Sequence, residues 1–366
     1  MRLPQEVGYI KAEIQSLGIR MELAPERKGG AGPAAGNTVL LDDAVATVPT
    51  TGRFVAASPY HVSTDSGRMI LCKNGHKISK IGFVPKPAFY DGVTANGVPY
   101  WKIALLHGTN CLATTVVQRC IHWGNQRKRC RFCGIELSLG DRGTIEVKRP
   151  DVLAEVALFA RQSGNIDHVT LTTGTWPEAD KGIQRLASCA LSIKKATGLP
   201  VHVQFEPPAE IELIRELKES LVDSVGIHIE TFDMNVLHKI APAKYELGLA
   251  KYVEAWEESV RLFGANQVSS FVIAGLGEKE SSIYQGSEIL AGLGVYPFIV
   301  PLRPIPGSLM ADATPPSPRK MIRIYERISH ILARNGLSSR KSKAGCVRCG
   351  ACSALRDFET TRIGSS

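Results

Sequence analysis

Beyond residue 110 the chain alternates short β-branched apolar runs with amphipathic segments. Strand-like runs fall at residues 112–118, 168–173, 201–205, 224–230, 267–274 and 295–300. Between the fourth and fifth, Leu249, Val253, Trp256, Val260 and Phe263 step by four and three, which sets all five on one helical face. Met321, Ile324, Ile328 and Ile331 repeat that device after the last run. Six strands in β-α alternation predict an α/β fold with a parallel sheet covered by helices, and right-handed crossovers curl such a unit toward a full or partial barrel. Periodicity alone also admits an open doubly wound sheet. The barrel is favoured because a cysteine follows the first strand directly, and barrels of this kind carry their chemistry at the C-terminal ends of the strands.

The first hundred residues read differently. Residues 4–18 suit a short helix, and residues 27–36 are too rich in glycine to be anything but loop. A phosphate-loop reading of that stretch fails, because it lacks a Gly-Lys-Ser/Thr ending and no strong strand precedes it; a mobile loop or lid is expected instead. From residue 38 to about residue 102, short alternating segments broken by Gly, Asp, Asn and Pro predict a small β-rich region. The division expected is an N-terminal β-rich extension over residues 1–105, a barrel over 106–336, and a C-terminal tail over 337–366.

Composition narrows the function without naming it. The 366 residues are 44% hydrophobic and 22% charged, which is ordinary for a globular enzyme. No apolar run is long enough to span a membrane and no signal-peptide core is present, so the cytoplasm is expected, where nine cysteines serve as metal ligands or buried thiols. The net charge of +9 is spread along the chain apart from one dense run, Arg127, Lys128, Arg129 and Arg131. That run is either a solvated loop or a basic rim that steers an acidic electron donor such as a flavodoxin or ferredoxin. Basic residues interleaved with aromatics are missing, so no nucleic-acid partner is expected.

The dense run lies inside a cysteine loop. Cys120, Cys130 and Cys133 directly follow the first barrel strand. A [4Fe–4S] cluster held by three thiolates keeps one iron free of protein ligands, whereas a fourth would close the site for structural or electron-carrying use. The count of three therefore points to chemistry at the cluster.

The arrangement resembles the radical S-adenosylmethionine (SAM) superfamily, in its biotin synthase and lipoyl synthase branch. Phe132 supplies the aromatic residue before the last cysteine, and Cys130-x₂-Cys133 matches the family's Cys-x₃-Cys-x₂-Cys motif, while nine residues stand where the family has three. The run Val272-Ile-Ala-Gly275-Leu-Gly277-Glu278 is similar to the strand-five segment of biotin synthase, with Phe271 replacing a glycine. Ile227-His-Ile-Glu230-Thr231 is similar to strand four of lipoyl synthase. The resemblance implies a SAM site in which Glu230 lies at the ribose, Thr173 and Gly174 hold the methionine amino group, and Gly275 and Gly277 leave room for the adenosyl group. Pro301 to Gly307 resembles the loop near the adenine; Arg303, at the end of the sixth strand, is expected either to face the lumen and hold a SAM or substrate carboxylate or to form a surface salt bridge. The Gly-Gly-Ala-Gly-Pro segment and the widened cysteine spacing further resemble a bacterial biotin-synthase-like family encoded beside a nitrilase. The implied activity is reductive cleavage of SAM and hydrogen abstraction from a small-molecule substrate. Sulfur insertion leads the implied outcomes, with carbon-skeleton rearrangement or fragmentation behind it.

A second group, Cys346, Cys349 and Cys352, follows the last predicted helix with the x₂-x₂ spacing of ferredoxin runs. It is expected to hold a second iron–sulfur cluster and to cap or flank the open end of the barrel, with a zinc knuckle as the plainer alternative. A rival scheme joins Cys130 and Cys133 to Cys346 and Cys349 as one Cys₄ zinc site without catalysis, against which the long separation in sequence argues. Cys72, Cys111 and Cys189 are expected to be buried inert thiols, with Cys111 or Cys72 in reserve as a missing ligand. His107 and His122 are expected to bond backbone carbonyls.

Overall fold

Seven strands form the principal sheet of the computed structural model, which describes residues 4–21, 36–42 and 44–359. Calling the five N-terminal strands β1 (Asn37–Leu41), β2 (Ala44–Val48), β3 (Tyr60–Asp65), β4 (Arg68–Lys73) and β5 (His76–Phe83), the principal sheet consists of β6 (Leu105–His107), β7 (Cys111–Thr115), β8 (His168–Thr172), β9 (Val201–Gln204), β10 (Ser224–Gly226), β11 (Val268–Ala274) and β12 (Val295–Pro301). Its order is β12-β11-β10-β9-β8-β7-β6. Strands β7 to β12 are parallel and β6 is an antiparallel edge. The sheet curls into a partial barrel. Each of the six predicted strand runs holds a parallel strand, because buried-both-sides strands need the near-continuous Val, Ile and Thr composition that those runs have.

Strand β10 is shorter than its run. After Gly226 the ladder breaks and rejoins only at a bridge between Glu230 and Val272, with Glu230 at φ 73. Such a backbone costs a non-glycine residue energy, and it turns a side chain out of the strand's alternation.

The connecting helices form where the apolar spacing placed them. Helix Pro318–Arg334 starts with Ser317, whose side chain accepts the Lys320 N–H, and with proline at its first position; Met321, Ile324, Ile328 and Ile331 are all fully buried. Helix Leu249–Phe263 buries Tyr252, Ala255, Trp256, Ser259 and Phe263, a face rotated slightly from the five predicted residues, of which Leu249, Val253 and Val260 are only partly covered. Trp256 fixes that rotation, since its indole N–H donates to Ile227 O at 2.9 Å and its ring is entirely enclosed.

The five N-terminal strands pair as an antiparallel sheet in the order β2-β1-β5-β4-β3. Helix Pro4–Leu17 lies against it through Ile14, which joins Ile19, Val39, Leu41, Val48, Tyr60 and Leu71 in a separate core. All but Gly36 of the glycine-rich stretch 27–36 lies outside the described residues.

The tail runs elsewhere than expected. Ser224 Oγ, at the start of β10, donates to Ala344 O at 3.2 Å, and Arg348 pairs with Asp167 just before β8. The C-terminal cysteines therefore enter at the N-terminal mouth of the sheet, opposite the cysteine loop. The reason is topological: the helix that follows a barrel strand runs back along it, so the chain leaving Pro318–Arg334 emerges below the strands. Helix Pro4–Leu17 clasps this tail, with Lys11 Nζ 2.9 Å from both Gly350 O and an Asp357 carboxylate oxygen, and Gln15 Nε2 2.9 Å from Ala351 O.

Candidate active site

At the opposite mouth a cavity of about 190 Å³ opens over the C-terminal ends of β7 to β10. Cys120, Cys130 and Cys133 all line it, together with Thr173, Gly174 and Glu230. The segment between Cys120 and Cys130 folds as a chain of turns: Trp123 N–H donates to Cys120 O, and the Lys128 and Arg129 N–H groups to Asn125 O. Arg129 lies flat on the Trp123 ring, 3.3 Å from its centroid, and reaches Cys133 O at 3.3 Å.

Both ends of the loop are fastened to the sheet. The Gln118 amide donates to Ile135 O at 2.6 Å, joining the residues before Cys120 to those after Cys133, and the buried Lys148 ammonium contacts Thr115 O, Ile145 O and Gln118 Oε1. Burial lowers the Lys148 pKa to about 7. The Cys120 N–H donates to the Glu136 carboxylate at 3.0 Å, and Ile121 N–H to Thr175 O at 3.0 Å. Gly174 belongs to this fastening: a Cβ there would stand 1.9 Å from Arg119 O. Only glycine lets the turn after β8 lie this close to the backbone that delivers Cys120.

Burial pushes the Cys133 thiol up to about 11 and raises the Cys130 thiol further, with Lys244 offsetting part of the latter. Free, the Cys130 and Cys133 thiols hold their protons, so ligation of a metal must supply the drive to lose them. Across the cavity, Lys244 Nζ sits 2.7 Å from Glu230 Oε1 and also donates to His228 O. Burial alone would lower the Lys244 ammonium, but the Glu230 carboxylate outweighs it and holds the group above its ordinary value.

His228 completes the wall. Its ring stacks on Phe271 at 4.3 Å, and its Nδ1 accepts the Phe271 N–H at 3.2 Å. Burial keeps the ring neutral, well below its usual pKa, so with Nδ1 accepting, the proton rests on Nε2. That buried Nε2 has no partner within the protein. A buried donor left unpaired beside a cavity is a place for a ligand acceptor. Three cavity thiols and an unpaired donor fit a cluster with a polar organic ligand beside it.

Three expected site residues lie outside this lining. Gly275 and Gly277 hold positive φ values of 104 and 107 in the turn after β11, where the Glu278 carboxylate accepts the Gly275 and Leu276 N–H groups. Arg303 points away from the cavity: its guanidinium donates to Thr47 O at 3.0 Å in the N-terminal sheet and stands near Cys352. Residues that the sequence reading passed over are Lys244, His228, Gln204 and Glu206, all in the cavity wall. The available signal for His228 was its place two residues before Glu230 on the same strand run. Of the remaining cysteines, Cys72, Cys111 and Cys189 are buried as expected.

The C-terminal cysteines form a second group. Cys346 Sγ accepts from Gln204 Nε2 at 3.4 Å, and His107 stands between the other two, with Nδ1 3.4 Å from Cys349 Sγ and Nε2 3.4 Å from Cys352 Sγ. His107 therefore meets sulfur and not the backbone carbonyl expected for it.

The family model described as the Radical SAM superfamily matches residues 125–285, a span that contains Cys130, Cys133, Glu230 and Gly275. The bacteriochlorophyllide c C-7(1)-hydroxylase of Chlorobaculum limnaeum is 27% identical over 135 residues, which is 36% of this chain and 33% of that protein. The match thus spans about a third of that relative's length. Among solved structures, methylornithine synthase superposes with a TM-score of 0.44 at 14% identity, covering 60% of this chain and 62% of that one. A radical SAM methyltransferase from Sphaerobacter thermophilus superposes with a TM-score of 0.46 at 13% identity over 76% of each chain. Among the described residues no helix is long and apolar enough to cross a membrane. Over residues 125–285 the chain is similar to the radical SAM superfamily, whose members bind a [4Fe–4S] cluster and S-adenosylmethionine.

Proposed function

We propose that Cys120, Cys130 and Cys133 hold the [4Fe–4S] cluster of a radical SAM enzyme acting on a small molecule, with sulfur insertion as the outcome. The observation that carries this reading is the shared cavity of the three thiols, the Thr173–Gly174 turn and the Glu230–Lys244 pair at the C-terminal strand ends. When bound, cluster and SAM supply, for one added electron, a 5′-deoxyadenosyl radical able to take hydrogen from an unactivated carbon. The protein's own residues bind and orient. Glu230, held by Lys244, offers its second carboxylate oxygen to ribose hydroxyls; Thr173 and the turn beside Gly174 face the methionine end; and the neutral His228 donates from Nε2 to an acceptor in the lumen. Phe132, Trp123 and Phe205 keep water from the reacting centre. Gly275 and Gly277 belong to this reading only as outer supports of the SAM site, and Arg303, turned toward Thr47, falls outside it.

The biotin and lipoyl synthase likeness of the segments around Gly275 and Glu230 supports sulfur insertion, as do the C-terminal cysteines, which offer a sulfur source. The exposed Arg127 and Arg131 beside the cysteine loop suit a flavodoxin or ferredoxin donor. Under anaerobic reduction the protein should cleave SAM to 5′-deoxyadenosine, and the C120A/C130A/C133A variant should not. Undiminished 5′-deoxyadenosine from that variant would refute the ligand assignment. Sulfur insertion is tested separately: protein reconstituted with ³⁴S-sulfide and given a small-molecule cell extract should release labelled product that depends on SAM, and unlabelled products throughout would remove that outcome.

A further inference from the structure

In the cavity wall, His228 and Gln204 meet over the end of β10. Gly226 makes the place where they meet: a Cβ there would stand 2.6 Å from His228 Cε1 and 3.0 Å from both His228 Nε2 and Gln204 Cγ. A larger residue would push the two side chains apart, so glycine keeps the imidazole edge and the amide on one small patch.

Hydrogen bonds behind the wall fix which atom each side chain can offer. Ser224 Oγ donates to Ala344 O at 3.2 Å and therefore accepts the His202 Nδ1–H at 2.8 Å. Burial pulls the His202 pKa down to about 3, so the ring is neutral and its Nε2 carries no hydrogen. Gln204 Nε2 donates one hydrogen to that nitrogen at 3.5 Å and the other to Cys346 Sγ at 3.4 Å. Both amide hydrogens are thereby engaged, and the carbonyl oxygen Oε1 is what Gln204 has left for a ligand. His228 has the opposite polarity. Its Nδ1 accepts the Phe271 N–H, so the buried Nε2, without a partner in the protein, presents a hydrogen. One donor and one acceptor thus stand side by side.

The charges of the described lining are placed elsewhere. Lys244 is held by Glu230 and His228 O, and Arg129 lies on Trp123 against Cys133 O. Glu206 adds a further carboxylate, whose Oε2 takes the Thr175 hydroxyl at 3.4 Å. An anionic group on the patch would lay an oxygen against Gln204 Oε1, acceptor against acceptor, in a buried setting where an unpaired charge is costly. A carboxamide or ring amide is the complement: a C=O for the Nε2–H and an N–H for Oε1, on neighbouring atoms and without charge.

We propose that the patch over Gly226 recognises an uncharged amide edge, so that the substrate is a carboxamide or ring amide and not the corresponding carboxylate. This rests on the reading of the cavity as a substrate lumen and narrows the class of molecule that enters it.

The test uses the full chain, reconstituted anaerobically with iron and sulfide and kept with SAM but no reductant, and three probes of one shape: benzamide, acetophenone and benzoate. In equilibrium dialysis benzamide should bind tightest. Acetophenone, which keeps the C=O and lacks the N–H, should bind about fivefold more weakly, and benzoate about tenfold or more. Gln204→Met should bind benzamide and acetophenone alike, and His228→Phe should weaken both by about fivefold. Circular dichroism checks that the variants fold, and the comparison of the three probes on the parent chain decides without them. Benzoate or acetophenone binding as tightly as benzamide, no binding of benzamide, or a folded Gln204→Met that keeps the preference would each overturn the proposal. Formation of 5′-deoxyadenosine is measured on the same parent preparation after reduction. If it is absent while the benzamide preference holds, the SAM-cleaving reading fails alone; if it is present while the preference is missing, only the amide site fails.

Discussion

Substituting Gly174 by alanine puts the placement of the cysteine loop to a quantitative test. The added Cβ would lie 1.9 Å from Arg119 O, 2.6 Å from Arg119 C and 3.1 Å from Cys120 N, all backbone atoms with no rotamer to swing aside. A relaxed carbon–oxygen contact is about 3.3 Å, so the backbone leading into Cys120 must retreat by roughly 1.4 Å. Overpacking of this size costs about 1–3 kcal/mol in stability, too little to unfold an ordinary domain. A 1 Å misplacement of reacting groups, by contrast, costs about 100-fold in rate. The expectation for G174A is a folded protein whose 5′-deoxyadenosine formation falls by about two orders of magnitude, with iron at the first site reduced. Gly124 is the internal control. It lies in the same loop, and a methyl group added there would meet nothing within 4 Å, so G124A should behave like the parent. Parent-like turnover and iron content in G174A would show that the turn after β8 does not deliver Cys120 to its place.

His228→Phe keeps the stack on Phe271 but deletes the Nε2 donor, and the loss of one neutral hydrogen bond, about 1 kcal/mol, should raise the KM for SAM or substrate about fivefold with little change in melting temperature. Lys148, whose pKa falls from 10.5 in the unfolded chain to about 7, leaves the native state with fewer bound protons between those values. Unfolding free energy should therefore rise with pH above 7, by up to about 1.4 kcal/mol per unit, and urea titrations of Lys148→Met at pH 7 and 8 should show that slope removed. Charge reversal at the exposed Arg127 and Arg131 should slow turnover with a flavodoxin donor, most strongly at low salt, and leave dithionite-driven turnover unchanged.

Much of this organisation is legible in the amino-acid order, for definable reasons. The parallel strands announce themselves because burial on both faces demands unbroken runs of β-branched residues, as in Val268–Ala274. Cys120, Thr173, Gly174 and Glu230 were findable because each directly follows or ends such a run, and Cys130 and Cys133 because of their x₂ spacing in the loop beyond. The Lys244 partner of Glu230 was not, since fourteen residues and a broken ladder separate the pair and no periodicity links a strand end to a short helix beyond it. Arg303 misled for a related reason: its acceptor, Thr47 O, belongs to another sheet 256 positions away, and pattern reading stops at the boundary of a single element. The tail could have been placed by topology, because any chain leaving the last helix of a βα series emerges at the bottom of the strands.

The bond between Lys11 and Asp357 joins positions 346 residues apart. At translation rates of about 5–20 residues per second, roughly 17–70 s pass between synthesis of the two partners. During that interval the helix Pro4–Leu17 has no tail to grip, and the floor beneath His107 does not yet exist. The clasp of that helix on the tail is for that reason confined to the finished polypeptide.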